Sequence, residues 1–138
     1  MEIKNLWPSF DSFDDISTPK EIFEQQVKFL PKSTGELVYG EIEESSALFD
    51  EPFEDFNFEF YLKSKFIEKY SFRVLSFYHP ISLYPLMVRL DSDIKKELNI
   101  SERYVEIKDE KELYSLLQKI FHSKKINLVV SSMMKLAK

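Results

Sequence analysis

Between Phe56 and Leu90 the chain alternates large apolar and polar residues with no glycine: FNFEFYLKSKF, then YSFRVLSFYHP, then YPLMVRLD. Phe56, Phe58, Phe60 and Leu62 share one parity, and Tyr70, Phe72 and Val74 repeat it. A period of two lines one face of a pleated strand, so this stretch predicts the core of an antiparallel sheet. Strands are expected over residues 56–66, 70–79 and 84–91, preceded by one over 37–44 and followed by a short one over 103–108. The steps His79-Pro80 and Tyr84-Pro85 force extended backbone around the last turn. Pro85 cannot donate to a ladder and belongs at a strand end or on an edge.

The period changes to that of a helix on either side of these strands. Thr18-Pro19-Lys20-Glu21 combines a cap, a proline at the first helical position and the acidic residue of a capping box. Ile22, Phe23, Gln26, Val27 and Leu30 follow as a stripe. Pro31 ends or kinks that helix, and Gly35 offers a left-handed exit. Asp109-Glu110-Lys111-Glu112 is a second capping box, ahead of Leu113, Leu116, Leu117, Ile120 and Phe121 on one helical face. Ser123 caps a last helix bearing Ile126, Val129, Val130, Met133 and Ala137. A helical turn is expected over 92–99. The fold class is α+β: an N-terminal helix, an antiparallel meander of four to five strands, and two C-terminal helices packed on one face. Residues 1–17 form an acidic and aromatic arm, and 18–138 a single domain. Phe58, Phe60, Phe72, Leu116 and Ile120 are the expected core.

Strand parity assigns the second sheet face Tyr61, Lys63, Lys65, Arg73, Leu75, Phe77, Met87 and Arg89. Such a face is too apolar for bare solvent and calls for a cover: the arm, a second copy in a homodimer, or another protein. Leu75, Phe77 and Met87 are its apolar candidates for partner binding. The arm holds Trp7, Phe10, Phe13 and Ile16 among aspartates, and the solubility cost of an exposed tryptophan favours an arm docked over the domain. The alternative is a segment that orders on binding.

The chain has 138 residues, 13 Phe, 7 Tyr and no Cys. That length buries a core without staples, and the missing cysteines remove disulfides, thiol nucleophiles and thiolate metal sites together. The first residues lack the apolar run of a signal peptide, and no stretch is long enough to span a bilayer, so a cytoplasmic setting without membrane contact is expected. The net charge of −5 is unevenly spread. Residues 1–59 hold 15 acidic and 4 basic side chains, residues 60–138 hold 9 and 15, and Glu41–Glu59 holds eight carboxylates without a Lys or Arg. Either later basic segments offset this run in the folded chain, or it meets a basic protein partner. Glu41, Glu43, Asp50, Glu51, Glu54 and Asp55 are the acidic candidates.

Chemistry is thinly represented. His79 and His122 are the only imidazoles, placed at a strand end and a helix C-terminus where turn and cap duties suffice. Two glycines cannot build a phosphate loop, no serine stands in a nucleophile elbow, and the acidic run lacks a calcium loop's central glycine. No cofactor is implied, and a pI near 5 argues against nucleic acid. The phrases TPKEIFEQQ, GELVYGEIEE, FNFEFYLKS, YSFRVLSFYHPISLYPLMV and KELYSLLQKIF, spanning Thr18 to Phe121, resemble a family of small bacterial single-domain proteins without an assigned activity. The resemblance implies a bacterial source and an α+β fold, and transfers no functional residue. The leading expectation is a small intracellular, non-enzymatic protein-binding module that occludes a macromolecular partner, of the immunity or defence-conflict type. The alternatives are a secretion-type chaperone holding an extended effector segment, and an enzyme or small-ligand binder with a site between sheet and helices.

Overall fold

A computed structural model describes residues 2–45 and 56–137. Five strands, β1 (Tyr39–Glu44), β2 (Phe56–Lys63), β3 (Ser71–His79), β4 (Leu86–Leu90) and β5 (Val105–Ile107), pair antiparallel in chain order. Helices α1 (Pro19–Val27) and α2 (Leu30–Ser33) precede the sheet, α3 (Ser92–Glu97) joins β4 to β5, and α4 (Glu110–Phe121) and α5 (Lys124–Leu136) follow. The expected α+β meander with N-terminal and C-terminal helices is the observed architecture. No helix among the described residues is long and apolar enough to cross a membrane.

The helix ends follow from their capping residues. Thr18 Oγ1 accepts from Glu21 N–H at 3.1 Å and Glu21 Oε1 accepts from Thr18 N–H at 3.0 Å, with Pro19 just inside. Those bonds to Thr18 favour the ionised form and hold the Glu21 carboxyl below its ordinary pKa. Asp109 caps α4 through Glu112 N–H at 2.9 Å, and Ser123 Oγ accepts from Ile126 N–H at 3.2 Å to start α5. Glu97 at the end of α3 also accepts from the backbone N–H groups of Lys124 and Lys125. A carboxylate at a helix N-terminus is favoured by the dipole, and here it ties α3 to α5. α1 stops short of Pro31, and the helical path resumes as the single turn of α2. Gly35 then takes the left-handed exit at φ +61°.

One irregularity in the sheet reassigns the residues of β3. Phe60 pairs with Leu75 but Tyr61 pairs with Arg73, leaving Val74 as an extra residue in a β-bulge. Val74 and Leu75 are consequently both buried, and the inward parity passes from Phe72 and Val74 to Leu75, Phe77 and His79. Leu75 and Phe77, expected on the second face, are core residues exposed by only 1%. Phe77 sits at the centre of the aromatic core: it stacks on Phe23 at 4.4 Å and on Phe58 at 5.1 Å, and Phe23 meets Phe60 edge-on at 5.9 Å. Phe58, Phe60, Leu116 and Ile120 are buried as expected, whereas Phe72 is only half-buried. Pro85, cis to Tyr84, stands immediately before β4 as its missing N–H requires.

Candidate functional site

The second sheet face is polar. Residues paired across it run Glu41–Tyr61–Arg73 and Glu43–Glu59–Ser76–Arg89, with Met87 between Tyr78 and Glu106. Lys63 Nζ bridges Glu41 at 3.0 Å and Glu43 at 3.1 Å, and these two carboxylates raise the Lys63 pKa. Tyr61 donates its hydroxyl to Glu59, and this bond, reinforced by desolvation, pushes the phenol up to about 12. Of the two readings of the acidic run, offset by later basic residues is what Glu41 and Glu43 show, their counter-charge coming from Lys63 on β2 next to them. Met87 is the one apolar candidate that does lie on this face, where it is half-buried. The face is not the apolar surface that simple strand parity assigns to it. Asp50, Glu51, Glu54 and Asp55 lie outside the described residues.

The histidines take structural positions. His79 is buried, its Nδ1 2.8 Å from the Pro80 carbonyl and its ring stacked on Phe56. His122 is the C-cap of α4, with Nδ1 2.9 Å from the Gln118 carbonyl. Among the described residues no group of three or more His, Asp or Glu side chains could hold a metal ion.

The arm departs most from expectation. Instead of docking, it leaves Leu6, Phe10, Phe13 and Ile16 exposed, with Trp7 75% and Ile3 96% accessible. Trp7 and Phe10 lie 6.3 Å apart, and Phe13–Asp15 make one 3-10 turn. Residues 2–17 carry four carboxylates and a single lysine, so the exposed apolar row is set in negative charge. Six large apolar side chains without cover exceed what a lone soluble domain normally shows in one place.

A cleft of about 390 Å³ opens over the inner side of the sheet between α1–α2 and α5. Phe60, Leu62, Val74 and Phe121 form its floor; Gln26, Val27, Phe29, Leu30 and Thr34 its first bank; Asn127, Val130, Ser131 and Met134 its second. Thr34 secures the first bank: Oγ1 donates to the Leu30 carbonyl at 3.0 Å and accepts from Val38 N–H at 3.0 Å. Gly40 lets α1 approach β1, since a Cβ there would lie 3.0 Å from both Val27 and Phe60 side-chain atoms. None of the described lining residues has an ionisable side chain, so among them the cleft offers apolar contact and a few amide and hydroxyl groups, without a general acid or base. The cleft lies between sheet and helices, where one sequence-based alternative put a site, but its lining residues were not legible in the sequence. Its local signals were the break at Pro31 beside Phe29 and the small Gly40 inside a strand.

Thr34→Val tests how the first bank is held. The valine keeps the shape but strands the buried Val38 N–H, at a cost of about 1–3 kcal/mol. A urea midpoint equal to that of the wild type would show that Val38 has another partner.

No protein-family model matches the chain, no curated protein matches it, and no solved structure matches it.

Proposed function

We propose that this chain is a non-enzymatic protein-binding module that occludes a macromolecular partner, and that its N-terminal arm is the element that grips. The single observation that carries the reading is the undocked arm, with Trp7, Phe10 and Phe13 exposed among carboxylates. Apolar anchors supply affinity and the surrounding charge supplies selectivity, so the complementary surface is an apolar groove rimmed by Lys or Arg. An intracellular setting and an immunity-type role belong to the same reading. The cleft's size is that of a small-ligand pocket, about 300–1,000 Å³, but the lack of ionisable groups among its described lining residues favours binding over catalysis.

A photo-crosslinking residue at position 10, in place of Phe10, tests the reading in cells. The expected result is a discrete adduct with another protein that excess peptide of residues 2–17 suppresses. Trp7→Ala together with Phe13→Ala should weaken that association by about a hundredfold or more, as for paired hot-spot aromatics. Absence of any adduct with another protein overturns the reading.

A further inference from the structure

An exposed acidic and aromatic arm and an apolar cleft with basic lips occur on the same chain. The cleft-facing stripe of α5 contains Asn127, Ser131 and Met134. At 100° per residue, Lys124 and Lys135 stand on the solvent side of that stripe, on the outer lip. On the facing bank Lys28 and Lys32 are exposed and interleave with the lining residues Val27, Phe29 and Ser33. None of these four lysines makes an ion pair with another described residue. The arm brings Asp11, Asp14 and Asp15 immediately beside its aromatic anchors.

We propose that the arm of one copy lies in the α1–α2/α5 cleft of a second copy, making a reciprocal dimer. The proposal rests on the reading of the arm as a binding element and names a second copy as one of its partners. Trp7 and Phe10 enter the apolar floor, and the aspartates meet the lysines of the lips. The reciprocal arrangement gives two identical joints, as a two-fold axis requires. Each buried aromatic covers about 150–250 Å², so two from each of two arms contribute about 600–1,000 Å². With the cleft walls added, this reaches the roughly 1,200–2,000 Å² of stable interfaces. Reach is sufficient, because residues 2–17 span about 50 Å when extended. The chain's own cleft is the less suitable host. The arm starts at Thr18, whereas the cleft lies at the far end of α1, so an own-chain arm must double back along its helix. The single chain leaves it undocked.

Trp7 is the only tryptophan, so its fluorescence reports directly on the joint. For the purified full chain, light scattering should give a dimer at high concentration, with Trp7 emission shifted to the blue and moving to the red on dilution. Added salt and Lys124→Glu with Lys135→Glu should both weaken the dimer, because the lip contacts are screened or reversed. Trp7→Ala with Phe10→Ala removes the anchors, and Ser131→Phe fills the cleft at an exposed position without taking anything from the core. Each variant alone should be monomeric, with a dissociation constant raised by about a hundredfold or more. Mixed together they regain one joint: the arm of the Ser131→Phe chain enters the open cleft of the other. Its Trp7, the sole tryptophan in the mixture, should then shift back to the blue.

A wild-type monomer with solvent-like Trp7 overturns the proposal, as does a monomer with Trp7 shielded at every dilution, which places the arm in its own cleft. A dimer indifferent to both variants overturns it too, and so does a mixture that fails to restore the shift. The two readings separate cleanly. A monomeric chain whose residue 10 still crosslinks to another protein loses the dimer alone, and a dimer without such an adduct loses the foreign partner alone.

Discussion

Phe77→Ala will remove about 3–5 kcal/mol of stability, the range for a buried aromatic cut back to its Cβ. Phe77 is 1% exposed and stacks against Phe23 and Phe58, which come from two different elements. Neither α1 nor β2 can move into the space without losing its other contacts, so the cavity persists and the cost falls at the upper end. Domains of this size are stable by about 5–15 kcal/mol in total. The variant should therefore unfold at a much lower urea midpoint, with an unchanged denaturant slope. Simple alternation through β3 places Phe77 on the outer face, where alanine would be nearly neutral. An unchanged midpoint would restore that arrangement and refute the bulge at Val74.

Deleting a residue on either side of the bulge should have opposite consequences. Without Val74, Arg73 and Leu75 become neighbours opposite Tyr61 and Phe60, which are themselves neighbours. The ladder becomes regular, every other inward residue keeps its face, and the loss is confined to one buried valine, roughly 1.5–3 kcal/mol. That protein should fold. Deleting Glu59 instead makes Phe58 and Phe60 adjacent on β2, so one of them must turn outward. β2 pairs on both sides, with β1 and β3, so the slip spoils two ladders as well as an aromatic anchor. This variant should show no cooperative unfolding and no near-ultraviolet circular dichroism. Equal behaviour of the two deletions would mean that register is not what holds the aromatic core in place.

The elements themselves were legible in the sequence because their causes are local. Thr18, Pro19 and Glu21 sit within one turn of each other, as do Asp109 and Glu112, and a capping hydrogen bond needs nothing from the rest of the chain. Alternation in β2 likewise announced Phe58, Phe60 and Leu62 as buried. Faces beyond the bulge were not legible. Whether Val74 is an extra residue depends on how β3 hydrogen-bonds to a strand more than ten residues earlier, and a period of two has no term for an inserted residue. Leu75 and Phe77 moved into the core for that reason alone. Which cation offsets the acidic strand was hidden for a similar reason. Glu41 and Glu43 have no cation near them in sequence, but antiparallel pairing places Lys63 alongside both.

The two features with functional weight divide in the same way. The composition of the arm is plain from residues 2–17, aromatic anchors set among carboxylates, and that chemistry needs no fold to be read. Whether those anchors are covered is a tertiary matter, since docking depends on a complementary surface assembled from distant segments. The cleft is tertiary altogether: helices from opposite ends of the chain, α1–α2 and α5, form its banks over a floor drawn from β2, β3 and α4. Local hydrogen bonding and periodicity determined what each segment is, and long-range register and packing decided which side chains face one another.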